Sequence, residues 1–147
     1  MEHELYFDGT ITEYSWSIKT ENKIINQIRE HPPAYLSGGK LDVKDDQQSR
    51  FIALHVGIYW GLGVFIIKDN DIVNVMCDSV EIRDLMTQNR KVDDQIISDK
   101  IYFINQLTEH RNLKINYEII KSESNLATEL LSTNGKKSAS RDSRGFV

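Results

Sequence analysis

Near the start of the chain Leu5 and Phe7 alternate with Tyr6 and Asp8, the two-residue period of a half-buried strand. Tyr14, Trp16 and Ile18 repeat that period against Ser15, Ser17 and Lys19, which predicts a second strand over residues 13–20. A polar turn at 21–23 leads to a third over 24–28. Pro32 and Pro33 then break any regular element, because proline lacks an amide donor and restricts its predecessor. From Arg50 the period lengthens. Phe51, Leu54, Ile58 and Leu62 recur at helical spacing and predict a buried helix face over 50–62. Residues 72–77 read as an apolar strand ending at Asp78, with Ser79 placed to cap a helix over 80–87. Ile96, Ile97, Ile101, Ile104 and Leu107 mark another helix, residues 113–120 a last strand, and Leu126, Leu130 and Leu131 a closing helix from about Ser124. The order β-β-β-α-β-α-α-β-α predicts one mixed α/β domain over 1–135, followed by a flexible polar tail over 136–147.

Composition narrows the function more than the fold. With 18 Lys and Arg against 22 Asp and Glu, the 147-residue chain carries a formal charge of −4. That balance argues against a polycationic binder of nucleic acid or membrane, though local patches and bound cations leave nucleic acid open as a substrate. Cys77 is the single cysteine, so a disulfide framework and a Cys-rich zinc module are excluded and a cytoplasmic setting is expected. No apolar run has the length of a membrane span. His3, His31, His55 and His110 lack metal-ligand spacing and read as surface or packed side chains. Trp16 and Trp60 read as core or groove wall.

The candidate chemistry lies in three acids. Asp8 and Asp78 fall at the ends of predicted strands and Glu129 on the last helix. Open α/β sheets place ligands at the ends of neighbouring strands. Clustered carboxylates there suit Mg²⁺ or Mn²⁺, which engage phosphate substrates through a few oxygens and water. Two such ions can activate a water and stabilise a leaving oxygen. Each acid also has a plain reading: a turn for Asp8-Gly9, a helix cap for Asp78-Ser79, and a solvated helix face for Glu129.

The wording around these acids resembles the type 1 ribonuclease H family. Tyr6-Phe7-Asp8-Gly9-Thr10 is similar to that family's opening motif. The stretch from Asp45 to Ile58 is similar to its first helix, Asp78-Ser79 to the end of its fourth strand, and Asn125-Leu126-Ala127-Thr128-Glu129-Leu130 to its closing helix. The resemblance runs in order from Leu5 to about Ser132. It implies a mixed five-stranded sheet, three antiparallel strands then two parallel, flanked by helices. It further implies hydrolysis of the RNA strand of RNA–DNA hybrids, or of another duplex, with Asp8, Asp78 and Glu129 as catalytic residues and ligands of Mg²⁺ or Mn²⁺. Gly9, Thr10, Asp46, Gln47, Ser79 and Asn125 take its substrate-contact positions.

Two departures stand out. Arg50 falls where the family has a metal-binding glutamate, replacing an anion with a permanent cation. The last acid is Glu129 where the family has aspartate, one methylene longer at a metal that demands tight octahedral geometry. The sequence therefore supports two expectations: a weak or impaired metal-dependent nuclease, or a non-catalytic module of the same fold that binds nucleic acid or serves assembly.

Overall fold

The computed structural model describes residues 1–35 and 42–137, with side chains of 132–137 left aside. Residues 138–147, most of the expected polar tail, lie outside the described residues. The strands are β1 (Glu2–Gly9), β2 (Glu13–Thr20), β3 (Lys23–Glu30), β4 (Ile72–Cys77) and β5 (Lys114–Ile119). The helices are α1 (Asp46–Gly63), α2 (Val80–Thr87), α3 (Gln95–His110) and α4 (Leu126–Lys137). The strands form one sheet in the order β3-β2-β1-β4-β5. β1 pairs antiparallel with β2 and parallel with β4; β2 pairs antiparallel with β3, and β4 parallel with β5.

The alternation along β1 and β2 decides which side chains each face receives. Leu5, Phe7, Trp16 and Ile18 are buried on the face covered by α1, in one core with Phe51, Leu54, Ile58 and Leu62. Tyr6 and Met76 point to the opposite face, where they pack against Ala127 of α4. Asp8 follows Tyr6 by two residues and so belongs to the α4 face. Opposite Asp8 in the register stands Ser15, whose hydroxyl donates to the Ala127 carbonyl at 2.7 Å and holds α4 onto β2.

α1 begins earlier than its apolar stripe. Asp45 caps it by accepting from the Gln48 amide at 2.8 Å, and Gln48 reaches back to accept from the Lys44 amide at 2.6 Å. The Gln48 side chain also donates to Asp94, the cap of α3, at 2.7 Å. Polar capping thus adds a turn before Arg50 and ties the starts of the two helices together. Farther along, Gly61 lets α1 settle on the loop before β4: a Cβ there would lie 2.7 Å from Ile67 Cδ1. Among the described residues no helix is long and apolar enough to cross a membrane.

Candidate active site

β1 and β4 run parallel and finish side by side, which brings Asp8 and Asp78 to the same end of the sheet. The start of α1 lies over them and the start of α4 closes the other side. Asn125, almost fully buried just ahead of α4, joins these parts. Its amide nitrogen donates to the Phe7 carbonyl at 3.1 Å and to Asp78 Oδ2 at 3.0 Å, and its oxygen accepts from the Ala127 amide at 3.0 Å.

Asp8 is 5% exposed, and both of its oxygens are taken. Oδ1 accepts from the Gly9 amide at 2.8 Å and from Arg50 Nε at 2.8 Å. Oδ2 accepts from the Thr128 hydroxyl. Burial works against the charge on Arg50, but the neighbouring carboxylates outweigh it, Asp8 first and then Asp78 and Asp46, so its pKa is raised further. The guanidinium is charged at every accessible pH and pairs with an anion that water cannot screen well.

Helix phase selects Thr128. Ala127 is fully buried against Tyr6 and Met76, so the next side chain swings onto Asp8 and the one after it, Glu129, turns to the exposed side of α4. The sequence resemblance set Glu129 against the family's last acid; in space the position facing Asp8 belongs to Thr128. The site therefore brings Asp8 and Asp78 together, with a cation on one oxygen of Asp8 and a neutral hydroxyl on the other.

The expected substrate-contact residues have local work in the fold. The Thr10 hydroxyl shapes the β1–β2 turn by accepting from the amides of Thr12 and Glu13, each at 3.3 Å. Ser79 caps α2 by accepting from the Ile82 amide at 3.2 Å. Gly9 is buried against Ser49, whose Oγ would lie 2.3 Å from a Cβ at that position, so only glycine lets α1 approach. Asp46 is exposed on the first turn of α1 and Gln47 half-buried beside it. Asn125 spends its amide group inside the fold. Thr128 and Ser15 are the residues that sequence reasoning missed; the small, buried Ala127 between two longer neighbours is the signal that could have fixed the phase of α4.

The donor set does not fit Mg²⁺ or Mn²⁺. Both ions require carboxylate oxygens with free lone pairs, whereas Asp8 already accepts three hydrogen bonds, one of them from a guanidinium. Among the described residues no group of three or more His, Cys, Asp or Glu side chains is arranged to hold a metal ion.

Cys77 ends β4 beside this site, fully buried, with its thiol donating to the Ser79 carbonyl at 3.1 Å; burial pushes its pKa up, away from reactivity.

No family sequence profile matches the chain, and no curated protein matches it by sequence. Its fold nonetheless has close counterparts. Ribonuclease H1 from the halophilic archaeon Halobacterium salinarum superposes with a TM-score of 0.69 at 13% identity, over 95% of this chain and 100% of that one. The N-terminal ribonuclease H domain of a Mycobacterium tuberculosis protein gives 0.66 at 14% identity, over 89% of this chain and 95% of that one. LC11 ribonuclease H1, isolated from compost, gives 0.66 at 18% identity, over 95% and 99%. The same enzyme in complex with an RNA/DNA hybrid gives 0.59 at 15% identity, over 88% and 91%. Sheet order, helix placement and these superpositions agree that the chain has the ribonuclease H-like fold.

Proposed function

We propose that this chain is a non-catalytic ribonuclease H-fold module that contacts nucleic acid in the cytoplasm without hydrolysing it. The observation that carries this reading is the Arg50 Nε contact to Asp8 Oδ1 at 2.8 Å, with the Thr128 hydroxyl on the other oxygen. A two-metal hydrolase needs its acids open to cations. Here one cation is covalently part of the chain, cannot carry a water nucleophile, and together with the Gly9 amide and the Thr128 hydroxyl takes up three of the acceptor positions of Asp8. Nucleic acid as partner is supported by the fold and by the hybrid-bound neighbour. The buried Cys77 thiol suits a reducing compartment.

Incubation of labelled RNA–DNA hybrid with wild type in Mg²⁺ and in Mn²⁺ tests the proposal, with Asp8→Asn and the double variant Arg50→Glu/Thr128→Asp alongside. Wild type is expected to leave the hybrid intact while slowing labelled nucleic acid in a native gel. Each lost electrostatic stabiliser is worth about 10²–10³ in rate, so wild-type turnover should be at background level. Wild-type cleavage that Asp8→Asn abolishes would overturn the proposal in favour of a working Mg²⁺- or Mn²⁺-dependent nuclease. Retention of no nucleic acid at all would replace the nucleic-acid part by an assembly role.

A further inference from the structure

The outer face made by α1 and α3 carries aromatic rings where a two-helix surface in water would carry charge. Tyr59 is 63% exposed, Tyr102 59% and Phe103 44%. Tyr59 and Phe103 border a hollow of about 550 Å³ between the helices. A second hollow of about 490 Å³ shares Tyr59, Leu107 and Arg111 with the first and continues past Trp60 toward Trp16 and Arg29. Each volume falls in the range of small-ligand sites. Together they form one groove, and none of its rings serves the Asp8–Arg50 cluster.

Its walls and rim suggest what fits. The His55 ring stacks on Phe103 at 5.5 Å between centroids and leans on Tyr59 at 6.3 Å. Burial first, then the Lys100 charge, lowers the His55 pKa to about 4, so at neutral pH this is a neutral aromatic surface. Cations frame the rings. Arg29 lies over the Trp16 indole at 5.4 Å, Lys100 over Phe103 at 5.9 Å, and Arg111 closes the shared segment. Against them stand Asp69, paired with Arg111 at 2.5 Å, and Asp99, near Lys100. The sheet end is the reverse: Asp8, Asp78 and Asp46 all act on Arg50. Without divalent ions that end repels phosphate, whereas the helix face offers cations beside flat rings.

We infer that the α1–α3 groove binds single-stranded nucleic acid, with unpaired bases stacking on Tyr59 and Phe103 and backbone phosphates meeting Arg29, Arg111 and Lys100. This rests on the nucleic-acid part of the function proposed above and places the contact on the α1–α3 face rather than at the sheet end that holds Asp8. Rings with cations at their edges are the general solution for holding unpaired bases without reading their sequence. A buried indole adds a further feature to the groove's inner end. Trp16 is completely buried and its Nε1 has no hydrogen-bond acceptor among the described residues.

Fluorescence anisotropy with a labelled oligothymidine strand, and separately with an RNA–DNA hybrid, distinguishes the possibilities. The variants are Tyr59→Ala, Phe103→Ala and Arg111→Gln, with the exposed loop residue Lys91→Gln as a charge-matched control. Stacking is worth about 1–3 kcal/mol per base, so each ring variant should weaken strand binding about 5- to 150-fold. Arg111→Gln should weaken it less and flatten its salt dependence, and Lys91→Gln should leave it unchanged. Because both rings are partly exposed, the variants should melt close to wild type. Strand binding that ignores both ring variants would overturn the inference. So would binding confined to the hybrid, or a groove whose ring variants abolish association with a protein, or with a second copy, while no strand binds. Cleavage of the hybrid would sink the function proposed above and leave this measurement standing.

Discussion

β1 carries a buried carboxylate network at each end, and the two are built alike. At its start Asp71, from the loop before β4, accepts from His3 Nε2 at 2.8 Å and the Lys68 amide at 2.8 Å, and pairs with the Met1 amino group at 3.3 Å. His3 in turn shares a 2.7 Å hydrogen bond with the Thr20 hydroxyl. At its finish Asp8 accepts from the Gly9 amide, Arg50 and Thr128. Each acid is met by one backbone amide, one basic side chain and one further donor. The first is an ordinary structural carboxylate that stitches a chain end to a loop. The second occupies the position where catalysis was expected, yet the chain treats it the same way. What separates them is the basic side chain: an imidazole can be neutral, while a guanidinium stays charged.

The strongest way to break the symmetry is to remove that guanidinium. Arg50→Met keeps the volume and leaves Asp8 buried without its counter-charge. Breaking one partner of a buried pair costs about 3 kcal/mol, and at about 2–4 °C per kcal/mol for a chain of this size the melting temperature should drop by about 6–12 °C. A calorimetric shift within error of zero would mean that the pair contributes nothing.

Asp71→Asn is the matched experiment at the other end and should cost about 2 kcal/mol at neutral pH, the value of lost hydrogen bonds to a charged group. Burial alone would raise the Asp71 pKa, but the bonds from His3, Lys68 and the amino terminus hold it below the usual value. A carboxylate depressed in the folded state stabilises above its unfolded pKa, and that contribution is lost as pH falls through the folded one. Wild type should therefore lose stability below about pH 4, and Asp71→Asn should lose less over the same interval. Parallel acid-denaturation curves would remove Asp71 from the account. A smaller effect is expected from Thr128→Val, which deletes one hydroxyl donor to Asp8 while keeping the shape. It should cost about 1 kcal/mol in urea unfolding, and no loss would mean that α4 does not depend on that bond.

These networks also mark what the sequence makes legible. Period alone locates β2 and β4, because alternating or continuous apolar runs bounded by polar turns carry that information locally, and the Ser79 cap locates α2. The apolar period begins at Arg50, four residues inside α1, since the first turn is held by Asp45 and Gln48 capping rather than by apolar side chains. Asp8, Asp78 and Arg50 were readable because short motifs surround them and strand ends converge in this topology. Thr128 was not. One residue of helix is about 100° of rotation, so positions 128 and 129 face different ways, and the burial of Ala127 marks Thr128 as the one that meets Asp8. The His3–Asp71 pair joins residues far apart in the chain and left no local mark, nor did the assembly of Tyr59 and Phe103 into one groove from two helices.

Asp8 in this account is a structural carboxylate held by three hydrogen bonds rather than a metal ligand. Paramagnetic broadening of backbone amides by Mn²⁺ tests it most directly, because the Gly9 amide donates to Asp8 itself. In wild type the Gly9 resonance should stay sharp as Mn²⁺ is added, while in Arg50→Glu/Thr128→Asp it should broaden before other buried amides. Selective loss of the Gly9 signal in wild type would show that Asp8 takes a divalent ion beside Arg50, and would contradict the account.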